Sequence, residues 1–282
     1  MSASSPALHS ASELPRAARH PLSGKFRHLL SYLSKARWLS PLVLLVIWEL
    51  GSRTGVIPER TLAAPSAVIS TLFGMVVSGE LPANLLVSLS RAASGLAIGV
   101  GLGTILGLLA GLSRQGEAAI DPLMQIKRTI PVVALTPLFI VWFGIGETPK
   151  IALIAFASMF PIYINLYSGI RGVDVRLIDA ARSFGLGRLE IVWHVVLPAA
   201  LPSLFTGLRY SLSIAIILLV IAEQINATAG LGYLINNARD FMRTDIIVVC
   251  LLVYAILGLL ADGLVRLLEA RALSWRPSVL AA

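Results

Sequence analysis

Residues 179–198 read DAARSFGLGRLEIVWHVVLP, a charged, helix-forming stretch set between two long apolar segments. Four arginines lie in or just before it: Arg171, Arg176, Arg182 and Arg188. In a membrane protein such a loop belongs on the cytoplasmic side, because short cytoplasmic loops carry the excess of Lys and Arg. A mere connection needs a few residues. This one has the material of two short helices, with Gly185 and Gly187 as the break between them. A folded knob of this kind points to a docking site for a soluble partner. Ala180 and Ala181 are small enough for a partner surface to approach the backbone. Pro198 suits the first turn of the helix that follows, where no amide donor is needed.

Composition supports the membrane reading. The 282 residues are 56% hydrophobic and 13% charged, about half the charge of a soluble domain. The net charge of +8 would also suit a nucleic-acid binder, but the basic residues flank apolar segments, so no nucleic-acid partner is expected. One cysteine, Cys250, lies in an apolar run and reads as a packing residue.

Six segments are long and apolar enough to span: Ala36–Arg53, Ser90–Leu112, Ile120–Phe143, Ile151–Gly169, Pro202–Glu223 and Asp245–Leu267. The first is read as an uncleaved span, since no small-residue cleavage site follows Trp48-Glu49-Leu50. Thr54–Asn84 is broken by Pro58, Pro65 and Pro82, and predicts a short amphipathic helix starting near Ser66 on the outer surface. Threading from a cytoplasmic N-terminus puts fourteen basic residues inside, including Arg114, the four of the loop, and Arg266, Arg271 and Arg276. Five fall outside: Arg53, Arg60, Lys150, Arg239 and Arg243. The predicted organisation is a basic, partly disordered cytoplasmic tail over 1–35, an all-α six-span domain over 36–270 that includes the loop 171–198, and a cytoplasmic C-terminal tail over 271–282.

Within the spans, Gly95, Gly99, Gly103, Gly107 and Gly111 recur every four residues and form a face for close helix packing. The third span is interrupted by Pro131 and Pro137, and broken helices commonly line transport pathways. Charges at membrane depth are costly and face a cavity or a partner. For Arg209 in the fifth span and Lys127 and Arg128 near the third-span break, pairing or snorkelling near the interface is the first reading, and meeting an anion is the second. Asn165 fits either packing or a substrate hydrogen bond. Glu223, at the outer end of the fifth span, is expected to pair with an outer-surface group. His194 has no second ligand at metal-binding spacing, so no metal site is expected.

Asp179-Ala180-Ala181, three residues, Gly185, nine residues, Val195, one residue, Leu197-Pro198 resembles the EAA signature of ABC importer permeases, with Asp for Glu and Val for Ile. Gly111–Arg114, Ile140–Gly146, Phe160–Asn165, Gly230–Tyr233 and Asn237–Phe241 are similar to the nitrate/sulfonate/taurine group of that family. Phe160–Asn165, Gly169-Ile170-Arg171, Ala181–Leu186, Leu268-Glu269 and Trp275-Arg276-Pro277 resemble its aliphatic sulfonate branch. Taurine, nitrate and thiamine-precursor relatives share much of the pattern.

The resemblance implies a type I importer fold of six spans plus a coupling helix, in a bacterial inner membrane with both termini cytoplasmic. It implies a second permease copy, two ATP-binding subunits and a periplasmic solute-binding protein as partners. It makes Asp179, Ala180, Ala181, Gly185, Leu197 and Pro198 the residues that couple to the ATPase. No G-x-x-x-x-G-K-[ST] phosphate loop occurs: Gly24-Lys25 is followed by Phe. The chain is thus expected to be no enzyme and to bind no cofactor, with ATP and Mg²⁺ on the partner subunits. An ion-driven transporter would want an acidic or histidine relay inside the spans, a membrane enzyme a clustered His/Asp/Glu site, and a passive channel no coupling loop.

Overall fold

The computed structural model describes residues 39–275, and within them every regular element is helical. The tail read over 1–35, and most of 271–282, lie outside the described residues. Contacts divide the chain at Leu50/Gly51. Residues 39–50 are the larger part of an apolar helix, α1 (Leu39–Arg53). Helix α2 (Pro65–Val77) starts where the short outer helix was predicted, with its proline in the first turn.

Helix α3 (Glu80–Leu112) starts ten residues before the predicted span. Pro82 misled the reading: in a first turn it removes no intrahelical bond. The third span is a pair, α4 (Arg114–Thr129) and α5 (Thr136–Phe143), joined through Pro131 and a 3₁₀ turn and bent by 92°. Then follow α6 (Glu147–Arg171), α7 (Val175–Ser183), α8 (Arg188–Ile191), a π-helical turn over Val192–Val196, α9 (Leu197–Glu223), α10 (Leu231–Asp240) and α11 (Thr244–Ala272). The π turn directly precedes Pro198, whose missing N–H leaves one rung of an α-helical ladder unmade. Helix α11 passes through the predicted domain limit at residue 270.

Helix α6 is central, packed between α3 and α9. Apolar transfer does not drive helices together in lipid, so close packing must. A Cβ built on Gly95 would meet Ile154 Cβ at 2.7 Å, on Gly103 the Met159 carbonyl at 2.5 Å, and on Gly111 Ile170 Cβ at 2.9 Å. Gly99 faces Ser158 and Gly107 faces Leu166 in the same series. The four-residue face is thus the α3–α6 seam.

Both numberings rise together along that seam, so α3 and α6 run parallel. The chain must therefore return from Leu112 to the level of Arg91, which Glu147 meets, roughly 30 Å at 1.5 Å per residue. The bent α4–α5 pair makes that return, which identifies it as a broken span and not a re-entrant loop. Helix α9 runs antiparallel to α6: Gly169 faces Ser203, Gly207 faces Asn165, and Ser211 Oγ donates to the Ser158 carbonyl at 2.6 Å. Helix α11 runs antiparallel to α9, since Tyr254 reaches Glu223 and Asp262 and Glu269 reach Arg209. The α7–α8 knob, the α3–α4 turn and the end of α11 therefore share one side of the bundle.

The opposite side is held by a buried polar cluster. Arg91 on α3 is 3% exposed and lies on the same face as Gly95, one turn earlier. Its Nη1 donates to Glu223 Oε1 at 2.8 Å and to the Ala229 carbonyl at 2.7 Å. Its Nη2 donates to Glu147 Oε1 at 2.8 Å, and its Nε to the other oxygen of that carboxylate. Glu223 is fully buried and also accepts from Ser88 Oγ, the Gly232 amide and Tyr254 Oη. Gly230, at φ +114°, passes so close that a Cβ would meet Arg91 Nη1 and Glu223 Oε1 at 2.6 Å. The partner of Glu223 is thus a buried arginine in place of the surface group expected from sequence.

Two predictions follow from this packing. Gly103→Ala should lower the detergent melting temperature and Gly103→Leu should prevent assembly, since overpacking costs about 1–3 kcal/mol or more. Gly101→Ala, with nothing within 4 Å of its Cβ, should be neutral or slightly stabilising; equal melting losses at the two positions would refute the seam. Glu223→Gln should cost about 1–3 kcal/mol, because Arg91 loses one of its two counter-charges while keeping Glu147, and the buried donors around position 223 lose a charged acceptor. Arg91→Met combined with Glu223→Gln should recover part of that loss, read as melting temperature, because Glu147 keeps Lys150 and the glutamine oxygen still accepts from the buried donors.

Candidate coupling knob and pathway residues

The knob is built from the chain's own capping chemistry. Asp174 caps α7, its Oδ1 accepting from the Arg176 amide at 2.9 Å. Helix α7 ends in a Schellman motif: the Leu186 amide donates to the Ala181 carbonyl at 3.2 Å and the Gly185 amide to the Arg182 carbonyl at 2.9 Å. That ending requires a left-handed residue, and Gly185 supplies it at φ +84°. Glu190 closes the start of α8, its Oε2 accepting from the Gly187 amide at 2.7 Å. The two short helices expected within residues 179–198 are present on either side of Gly185 and Gly187, the first starting earlier, at Val175, and the second running through the π turn into α9.

Underneath lies a small core of Leu166 and Ile170 from α6, Ala181 from α7, Ile191 from α8, and Val196 and Ala200 at the base of α9. Ala181 is 7% exposed and faces this core, whereas Ala180 is exposed. Close packing within the chain is therefore what the small side chain of Ala181 serves here. Asp179 is exposed and pairs with Arg182 at 3.1 Å. Leu197 and Pro198 are half-buried in the first turn of α9. Two large apolar side chains stand outward among the exposed charges: Phe184 is 85% exposed and Leu189 75%. Position 184 had not been singled out from sequence; a phenylalanine beside the helix-stop glycine, among arginines, is the signal that would have found it.

The three pathway candidates are not brought together. Arg209 turns to α11, with Nη2 donating to Glu269 Oε2 at 2.7 Å and Nε 3.2 Å from Asp262 Oδ1. Asn165 sits in the α6–α9 seam, its Nδ2 donating to the Pro161 carbonyl at 2.8 Å, with its Cβ beside Gly207. Arg128, in the last turn of α4, is exposed and makes no ion pair among the described residues. Along the α4–α6 side, Tyr163 Oη donates to Asp121 Oδ1 at 2.9 Å, while Tyr167 and Arg171 both donate to Glu117. Arg91 and Glu147 carry no sequence expectation, and Glu223 had only that of an outer-surface partner. An arginine on the glycine face of an apolar helix was the available sign, since it must meet an acid from a neighbouring helix.

Comparison with known proteins places this architecture. Residues 99–274 match the family described as binding-protein-dependent transport system inner membrane component. The chain is 45% identical over 246 residues to SsuC of Escherichia coli (strain K12), named as an aliphatic sulfonates transport permease protein, covering 87% of this chain and 94% of that one. It is 44% identical to the protein of the same name from Bacillus subtilis (strain 168), over 85% and 87% of the two chains. In fold it is similar to a chain from the crystal structure of an amino acid ABC transporter with histidines, with a TM-score of 0.57 and 21% identity over 71% of this chain and 98% of that one. The chain belongs to the binding-protein-dependent transport system inner membrane components, the permease subunits of ABC importers.

Proposed function

We propose that this permease carries aliphatic sulfonates inward across a bacterial inner membrane as one of two identical copies, driven by two ATP-binding subunits docked on the α7–α8 knobs. A periplasmic binding protein delivers the substrate to the opposite side. ATP and Mg²⁺ belong to the ATPase subunits. The knob side, with the end of α11, faces the cytoplasm, and the chain's two terminal tails lie there.

The observation that carries this reading is the knob itself. It presents Phe184, Leu189 and Ala180 outward from a folded platform, and its underside packs directly on the ends of α6 and α9. A partner gripping that surface moves two spans without an intervening flexible joint. The sulfonate assignment is supported by the 45% identity to an aliphatic sulfonates permease over nearly the whole length. Asp179, Ala180, Gly185, Leu197 and Pro198 hold or present the contact, and Ala181 supports it from beneath. Arg128 is the exposed cation near the span break and is available to an anion. Arg209 and Asn165 act by fixing α9 against α11 and α6.

The test is a pull-down and an uptake assay on the reconstituted complex. Phe184→Asp and Ala180→Trp should leave the permease folded, weaken ATPase-subunit binding roughly thirtyfold, as loss of a hot-spot contact of about 2 kcal/mol does, and abolish ATP-driven uptake of ethanesulfonate. Ala181→Trp should instead lower permease stability before any partner is added. Full capture of the ATPase by Phe184→Asp would refute the docking surface, and uptake of nitrate or a thiamine precursor in place of ethanesulfonate would refute the substrate.

A further inference from the structure

We propose that Lys127 is the counter-charge for the anionic head group of the transported molecule, at the break between α4 and α5; this rests on the sulfonate-importer reading. Lys127 lies in the last turn of α4 and is 8% exposed. Its ammonium stands 4.7 Å from the centre of the Phe156 ring and 5.5 Å from that of Phe160, both on α6.

Among the described residues, the other buried or half-buried cations of the bundle have carboxylates. Arg91 has Glu147 and Glu223, Lys150 has Glu147, and Arg209 has Asp262 and Glu269. Lys127 has no carboxylate partner among the described residues. Asp121, one and a half turns earlier on α4, is engaged by Tyr163 at 2.9 Å and Gln125 at 3.2 Å.

Its surroundings leave this cation under-compensated. Two aromatic faces and the negative end of α4 attract the ammonium, but neither brings a full negative charge to replace the water it has lost. A small monoanion supplies what is missing. Of the two rings only Phe156 also lines an apolar groove of about 660 Å³, together with Ile130, Phe139, Trp142 and Met159; Lys127 and Phe160 lie outside its lining, so the ammonium is separated from the groove by the Phe156 ring. A lysine also suits a substrate that must leave again, because a single ammonium binds a sulfonate as a point charge, without the two parallel donors of an arginine.

The experiment uses the whole complex of permease, ATPase subunits and binding protein in proteoliposomes, with labelled ethanesulfonate as the probe. Lys127→Met should reduce uptake per assembled complex at least tenfold and leave the melting temperature equal or higher, because an uncompensated charge gives way to an apolar chain of similar length. Lys127→Arg should recover part of the uptake. Added ethanesulfonate should raise the melting temperature of the unaltered complex and not that of Lys127→Met. Normal uptake by Lys127→Met overturns the inference. A lowered melting temperature or failed assembly of Lys127→Met also overturns it, since the ammonium is then a structural pin on the two rings. If the unaltered complex takes up no ethanesulfonate, the substrate reading itself fails and this inference falls with it, an outcome distinct from failure at Lys127 alone.

Discussion

A guanidinium enclosed by apolar helices has to be neutralised where it lies, and the side of the bundle away from the knob is arranged around the one at Arg91. Its two carboxylates come from different helices, Glu147 at the start of α6 and Glu223 at the end of α9. Glu223 in turn collects donors from α3, α10 and α11 through Ser88, Gly232 and Tyr254. Five helices thus end on one charge pair. Gly230 and the glycine seam make this possible, the first by admitting the guanidinium against a loop and the second by bringing α3 close enough to α6 for Arg91 to reach Glu147. Glu147 keeps half its side chain in the open and shares its charge with Lys150, so the cluster has one accessible edge.

The other side of the bundle is organised by packing. The core beneath the knob contains residues of α6, α7, α8 and α9 at once. Protein interiors are close-packed and transmit displacement instead of absorbing it. A push on α7 therefore bears on the ends of α6 and α9 together. Since α6 is also the helix against which α3 is locked, the knob is mechanically joined to the Arg91 cluster at the far end of the same helix.

Much of this was legible in the sequence because it depends on local chemistry. The four-residue glycine period, the helix-stop glycine at 185, the proline that opens α9 and the proline-broken third span each act within a few residues of themselves. Span limits were less legible where a proline sat in a first turn, as Pro82 does. The inward face of Ala181, the double pairing of Arg209 with α11 and the Arg91–Glu223 pair were not legible, because each depends on residues of other elements, up to 132 positions away, meeting it in space. Lys127 was readable as a costly charge, but its lack of a carboxylate became visible only once its neighbours were in place.

The α3–α6 seam has a further property. Glycines 95, 99, 103, 107 and 111 face positions 154, 158, 162, 166 and 170, so both sides repeat every four residues. A periodic contact cannot count its own repeats. Sliding α3 by four residues, about 6 Å, would set each glycine against the next site and leave most of the close packing intact. What breaks the degeneracy is aperiodic: the single Arg91–Glu147 contact at one end, and at the other Arg171, which bonds Glu117 and approaches the Ala110 carbonyl at 3.5 Å. The glycines fix how near the two helices lie, and the charged ends fix their phase.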